Sequence, residues 1–483
     1  MNLMFNPSFL FYDYETFGTD PIKDKVSQFA CIRTDIEFNI ISDPIFYYCK
    51  LPLDYLPDPN SIIITRITPQ YVQRYGFIES EFAKLIYDIF NKPNTCILGY
   101  NNINFDDEFT RNIFYRNFLD PYSWSWKNGN SRWDVLNLLR ACHALRPYDG
   151  LIRWPVNKYG HVSFKLEDIT NINNIPHLNS HNAISDVYAT LKLAKLIKIN
   201  YNKLFLFLFK NRRKNSFLNI LNSNKKILVY VSNCFGAKKN NIGIVSPLIW
   251  HPKNANILVT CNLLEDLNHL SKINFNILNK YKIKDIFNKR FKYYLPINFV
   301  YINKCPVILS LNCLRSDDLL RLNINLEFIF NNISILKKNS FFIKKIYNFF
   351  SQINNSLVYS DVESQLYKNF FSTRDKCIIN HIRQSNCFKL SKINLSKCNF
   401  DERLTLLLFF YRSRNFENTL DIEEKNNWIL HCKNKLNKNY FKLYREHLFF
   451  LSKKYMLDFN IIRIIKNIED YSNYVYKIIF HKI

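Results

Sequence analysis

Along the first 200 residues, short apolar runs alternate with amphipathic ones. Residues 8–15 (SFLFYDYE), 27–35 (SQFACIRTD) and 37–50 (EFNIISDPIFYYCK) are rich in aromatic and β-branched side chains and are separated by turn signals, so they predict three strands of a meander. Residues 95–102 (TCILGYNN) predict a further short strand. Residues 79–92, 106–118 and 185–199 place apolar side chains at i, i+3 and i+4, the spacing of amphipathic helices. Strands interleaved with helices predict an α/β domain with a mixed sheet.

Beyond residue 200 the texture changes. Short β-like runs at 225–235, 241–251, 254–263 and 296–309 are separated by basic or Asn-rich turns, with helical stretches among them. From about residue 356 the pattern is helical, at 401–415, 420–438, 440–456 and 459–479. The expected division is therefore an α/β domain over 1–200, a small β-rich domain over 201–355 and a helical domain over 356–483. A length of 483 residues accommodates such a division. No repeat at a solenoid period is present.

Composition narrows the class. Apolar residues at 47% and charged residues at 22% supply sizeable cores and exclude a disordered charged tail protein. Only 8 Gly and 16 Pro exclude collagen-like and linker-rich chains. The net charge of +26 is unevenly placed. Residues 1–200 carry 20 basic and 21 acidic side chains, whereas 201–483 carry 46 and 19. The window 201–250, with Lys210, Arg212, Arg213, Lys238 and Lys239, holds nine basic residues and no acidic one. That asymmetry points to chemistry in the first part and a polyanion held by the rest. The competing reading is codon bias in an AT-rich genome, which also enriches Lys and Asn.

Twelve cysteines include no C-x-x-C pair, and Cys142 beside His143 does not make a zinc set. Free thiols in a reducing cytoplasm are the expectation. The N-terminal run is interrupted by Pro7 and Asp13 and lacks a basic n-region, so no export signal is expected. The apolar run Leu204–Phe209 is bounded by Lys203 and Lys210, far short of a membrane span.

The candidate chemistry is acidic. Asp13 and Glu15 stand at i and i+2 of a strand, so their carboxylates share a face. Asp106 follows the apolar strand GYNNINF where a helix begins, and Asp186 lies five residues after His181 at the start of another helix. Four carboxylates at element boundaries would repel one another without a counter-ion. Hard oxygen donors favour Mg²⁺ or Mn²⁺ over Zn²⁺. Two such ions about 3.5–4 Å apart activate water and stabilise the leaving oxygen of a phosphodiester. His181 offers an imidazole suited to taking a proton from that water. Asp107 and Glu108 read as solvated residues that suit a helix start.

In order along the chain, D-x-E at 13–15, Asp106 after N-x-x-F and H-x4-D at 181–186 resemble the motif set of the DEDD exonuclease superfamily, in its DEDDh branch of 3′→5′ exonucleases. FYDYETFGT, ILGYNNINFDDEFTRNIFYRNF, DPYSWSW, NSRWDVL, NKCPVIL and YRSRNF further resemble the bacterial exonuclease I family, nearly end to end. The resemblance implies a ribonuclease H-like exonuclease domain with a mixed sheet, then an SH3-like β-barrel domain and an all-helical C-terminal domain, together surrounding single-stranded DNA. It implies Asp13, Glu15 and Asp186 as ligands of the tighter of two Mg²⁺ ions, with Mn²⁺ as a substitute. It implies Asp106 for the second ion and His181 as general base, with Glu15 and His181 also touching substrate. Arg111, Tyr122, Trp126 and Arg140 are the implied strand contacts. Lys165 stands where close members have Arg against a phosphate, keeping the charge but losing the bidentate fork.

The same resemblance implies a cytoplasmic monomer that degrades single-stranded DNA to 5′-mononucleotides in repair and recombination. The implied protein partner is a single-stranded DNA-binding protein, and no membrane is involved. Two alternatives are an RNA-trimming exonuclease of the same branch and a degenerate nuclease that only binds nucleic acid. The long chain after residue 200 argues against the first, and the intact acids with His181 argue against the second.

Overall fold

The computed structural model describes residues 6–177, 180–223, 227–272, 294–352, 361–395 and 399–481. The chain forms two compact units, one of Met1–Ser131, Leu178–Tyr188 and Val358–Ile483, the other of Arg132–His177 and Ala189–Leu357.

The first unit is organised by strands β1 (Ser8–Thr16), β2 (Val26–Thr34), β3 (Ile45–Tyr48) and β4 (Thr95–Gly99); with β5 (Ser131–Asp134) they form a sheet in the order β3-β2-β1-β4-β5. β1 pairs antiparallel with β2 and parallel with β4, so the sheet is mixed, as expected. β1 is buried along almost its whole length, which is why its sequence reads as a continuous apolar run with acids near its end. The third expected strand is shorter than 37–50. Asp35 Oδ1 accepts the amides of Glu37 at 2.8 Å and Asn39 at 2.9 Å, turning the chain before it can pair in full.

The helices Glu79–Phe90 and Asp106–Arg116 cover this sheet, burying Phe82, Ile86, Phe90, Phe109, Ile113 and Phe114 against Tyr12, Phe29 and Ile97. Gly99 is required at the end of β4, because a Cβ there would lie 2.6 Å from the Tyr12 carbonyl oxygen. The C-terminal helices Arg403–Asn415, Ile422–Lys435, Lys438–Lys454 and Phe459–His481 bury Trp428, Phe441, Ile468 and Ile479 in one core with Phe17, Ile62 and Val72. Buried Asp54 anchors that packing, receiving Arg414 Nη2 at 2.7 Å and Lys435 Nζ at 2.8 Å, while Arg414 Nη1 also reaches Glu363 at 2.5 Å. Burial alone would raise the pKa of Asp54, but Arg414 and Lys435 hold it well below the usual carboxylate range.

The second unit contains an antiparallel sheet of β6 (Leu228–Val231), β7 (Ile242–Trp250), β8 (Ile257–Asn262), β9 (Ile297–Tyr301) and β10 (Val307–Ser310), ordered β10-β6-β7-β8-β9. Lys225 and Lys226, at the start of the first expected run, lie outside the described residues. The run 296–309 divides into two strands, with Cys305 turning between them at φ 48°. Phe217, Leu228, Val245, Leu258, Val300 and Ile308 form the core of this sheet. The described cysteines are free, and among the described residues no helix is long and apolar enough to cross a membrane.

Candidate active site

Three of the expected acids converge. Asp13, Glu15 and Asp186 each offer a carboxylate oxygen, and these atoms lie within 4.8 Å of one another. β1 carries the first two on one face by its two-residue period. Asp186 arrives from the first turn of the helix Ala183–Asn200, where its amide donates to the Asn182 carbonyl at 3.0 Å. Asp106 opens the helix Asp106–Arg116 and is buried. Its Oδ1 accepts the backbone amide of Tyr14, the residue between the two strand acids, at 3.1 Å.

The electrostatics are those of clustered, desolvated carboxylates. Burial pushes Glu15 up to about 8, with Asp186 and Asp106 adding repulsion. Asp13 is driven well above the carboxylate range by desolvation, then by Asp106, Asp186 and Glu15. Glu15 Oε1 is buried with no hydrogen-bond partner. A buried oxygen with no donor, inside a set of clustered carboxylates, fits a hard divalent cation.

His181 sits on the turn ahead of the helix Ala183–Asn200, exposed, with a left-handed backbone at φ 66°. That conformation breaks the chain direction so that the helix can start two residues later.

Asp107 is a correction. Far from being solvated, it is fully buried, and its Oδ1 accepts Tyr12 Oη at 2.5 Å and Asn102 Nδ2 at 3.2 Å. Asn102 Oδ1 in turn accepts the Gly99 amide at 3.1 Å. This network fixes the turn between β4 and the helix that bears Asp106. Sequence reasoning missed it because adjacent acids at a helix start look alike until packing separates them. Glu108 is likewise engaged, holding Arg111 Nη1 at 2.8 Å and accepting the Tyr367 hydroxyl.

The expected strand contacts differ in exposure. Trp126 is 65% exposed. Arg111 is largely buried, bonded to Glu108 and to Tyr367 Oη at 3.3 Å, with its guanidinium 5.9 Å from the Tyr122 ring. Tyr122 is half-buried, donating to the Leu366 carbonyl at 3.3 Å. In the second unit, Arg140 reaches Asn137 Oδ1 at 3.1 Å beside the Phe164 ring. Lys165 is exposed just ahead of the helix Leu166–Ile172. Two other aromatics of residues 111–140 belong to cores. Trp124 is fully buried against Phe90, and Trp133 packs on Phe205 and Phe209. Of the basic window, Lys239 pairs with Glu265 at 2.8 Å and Arg212 lies 3.6 Å over the Phe209 ring, while Lys210, Arg213 and Lys238 are exposed.

Comparison with known proteins agrees along nearly the whole chain. Family models match residues 10–194 (Exonuclease), 212–352 (Exonuclease I SH3-like domain) and 360–475 (Exonuclease I C-terminal domain). The chain is 45% identical over 477 residues to exodeoxyribonuclease I of Buchnera aphidicola subsp. Schizaphis graminum, covering 98% of this chain and 97% of that one. It is 42% identical over 468 residues to the Escherichia coli exodeoxyribonuclease I, covering 96% and 97%. Among solved structures, E. coli exonuclease I in complex with a dA16 oligonucleotide superposes with a TM-score of 0.92 at 41% identity, covering 97% of this chain and 100% of that one. A zinc-bound E. coli exonuclease I–ssDNA complex gives 0.91 at 41% identity, covering 98% and 100%. A structure of SSB and exonuclease I with an inhibitor gives 0.89 at 40% identity, again covering 98% and 100%.

Proposed function

The chain belongs to the exodeoxyribonuclease I family, and from that membership we propose a 3′→5′ exonuclease that uses Mg²⁺ to release 5′-mononucleotides from single-stranded DNA in repair and recombination. The enzyme class follows from relatives at 42–49% identity, four of the five matching over 89% or more of this chain. The observation that carries the mechanism is the cluster of Asp13, Glu15 and Asp186 with its unpartnered Glu15 oxygen.

In this reading Asp13, Glu15 and Asp186 hold one Mg²⁺ and Asp106 helps hold a second. Bound divalent cations supply Lewis acidity to the scissile phosphate and lower the pKa of water. His181 accepts the proton of the attacking water, and its exposed position ahead of the Asp186 helix lets it reach solvent afterwards. Glu15 also touches substrate, Arg111, Tyr122 and Trp126 are strand contacts of the first unit, and Arg140 and Lys165 are strand contacts of the second. Exposed Trp126 supplies a face on which a base stacks whatever its identity. The exonuclease, SH3-like and C-terminal parts are taken as 1–200, 201–355 and 356–483. The solved complexes of relatives with oligonucleotides and with SSB support single-stranded DNA and a single-stranded DNA-binding protein as partners. Free thiols suit a reducing cytoplasm.

The test is purified protein with Mg²⁺ on 3′-labelled and 5′-labelled single strands of DNA and RNA, with Asp13→Ala as control. Early release of the 3′ label as a 5′-mononucleotide from DNA alone is expected. Equal trimming of RNA, or full activity in EDTA, overturns the reading.

A further inference from the structure

We propose that Gln28 is a positioning residue for catalysis: its side-chain amide seats the helix that carries Asp186, and so sets the distance between Asp186 and the two acids of β1. The inference rests on the metal-dependent reading above.

The geometry begins in the β1–β2 ladder. Gln28 lies directly opposite Glu15, so the two side chains stand on the same face of the sheet. Gln28 is 2% exposed. Its Oε1 accepts the backbone amide of Ala183 at 3.4 Å. Ala183 is the first residue of the helix Ala183–Asn200 and is fully buried. The first amides of a helix have no partner within it, and a buried one cannot turn to water. Gln28 therefore supplies, from a neighbouring strand, an acceptor that the helix cannot provide for itself. Three residues further on is Asp186.

The orientation of the amide is set from its other end. Gln28 Nε2 donates to Tyr48 Oη at 3.2 Å, on the adjacent strand β3. Burial pushes Tyr48 up to about 12, and a hydrogen bond with Tyr71 adds to the shift, so the phenol stays protonated at every working pH. With the nitrogen of Gln28 directed at Tyr48, its oxygen faces Ala183; a flipped amide would set donor against donor. A chain of contacts thus runs from Tyr71 through Tyr48 and Gln28 to the start of the Asp186 helix. No residue in it holds a metal. It acts on where one ligand stands relative to the other two, as supporting shells around metal sites do.

The experiment compares wild type, Gln28→Met and Tyr48→Phe. Methionine keeps length and apolar bulk but cannot accept a hydrogen bond; phenylalanine removes only the group that orients the amide. Three quantities are read. Hydrogen–deuterium exchange of metal-free protein follows the peptide containing Ala183. Electron paramagnetic resonance follows Mn²⁺ binding. Steady-state cleavage of a single-stranded oligonucleotide gives kcat and KM separately. For Gln28→Met, faster exchange at Ala183, Mn²⁺ binding weakened about 10–100-fold and a matching loss in kcat are expected, with KM for DNA unchanged. Tyr48→Phe should move all three the same way by less. Wild-type exchange and Mn²⁺ affinity in Gln28→Met overturn the proposal. Should that variant not fold, Tyr48→Phe decides alone, and wild-type values in it overturn the proposal equally. Exchange and Mn²⁺ binding do not depend on the substrate, so a wild type that fails to cut DNA would reject the functional reading without deciding the role of Gln28.

Discussion

The backbone amide of Tyr14 donates to Oδ1 of Asp106 at 3.1 Å, so the fourth acid is tied to the strand that carries the other two, between them. Asp106 is thus fixed by a residue 92 positions earlier in the chain. Replacing Asp106 by Asn keeps an acceptor for Tyr14 and removes the charge. Fold and DNA binding should persist, while kcat should fall by about 10²-fold or more, since metal-assisted charge stabilisation contributes several kcal/mol. Circular dichroism with single-turnover kinetics checks this; an Asn variant with wild-type kcat would remove Asp106 from the chemistry.

Metal binding should release protons. In the metal-free protein burial pushes Glu15 up to about 8, so it holds a proton at neutral pH, and desolvation raises Asp13 as well. Divalent cations need the ionised forms. Apparent Mn²⁺ affinity should therefore rise with pH, by about tenfold per unit for each coupled proton, and level off above about pH 8. A raised carboxylate stabilises the fold at low pH, and that contribution is lost as pH rises through its folded value. The gain in Tm on adding Mg²⁺ should accordingly grow between pH 6 and pH 8. A Tm gain independent of pH contradicts the assignment.

His181→Ala should lower turnover by roughly 10²–10⁴ and leave oligonucleotide affinity nearly unchanged. Exposure of the side chain makes a folding defect unexpected. Weaker binding at wild-type turnover would make His181 a contact for the strand and not the base.

Trp124 and Trp126 should separate cleanly. Trp124 is fully buried against Phe90, so Trp124→Ala should cost about 3–5 kcal/mol of stability by chemical denaturation. Trp126 is 65% exposed, so Trp126→Ala should leave stability intact and weaken single-stranded DNA binding by about 1–3 kcal/mol if a base stacks there. Unchanged affinity in the second variant excludes Trp126 from the strand path.

Asp54→Ala should destabilise the first unit by about 3 kcal/mol, because it removes one of the two carboxylates paired with buried Arg414 and a partner of Lys435. The lowered pKa of Asp54 fixes the sign of its pH effect: its stabilisation is complete above the ordinary carboxylate range, near pH 4, and is lost as pH falls further. Urea midpoints of wild type and variant should therefore approach each other in acid. A gap that persists unchanged at low pH would mean the loss is one of packing and not of charge.

The sequence by itself determined what depends on local periodicity. Residues two apart on a strand share a face, so Asp13 and Glu15 were legible as a pair, and the spacing of 185–199 announced the helix behind Asp186. The ordered acids and His181 carried the family resemblance, and the match over nearly the whole chain agrees with it. Tertiary structure alone decided which neighbours each side chain met. Asp107 is separated from Asp106 by one bond along the chain, yet it is sealed beneath Tyr12 and Asn102 while Asp106 turns toward β1. Trp124 and Trp126 are alike in sequence context and opposite in burial. Gln28 carried no motif, and its relation to Ala183 spans 155 residues. Backbone preference acts over a few residues, whereas burial, counter-charge and the partner of a helix terminus are set by segments that meet only when the chain has packed.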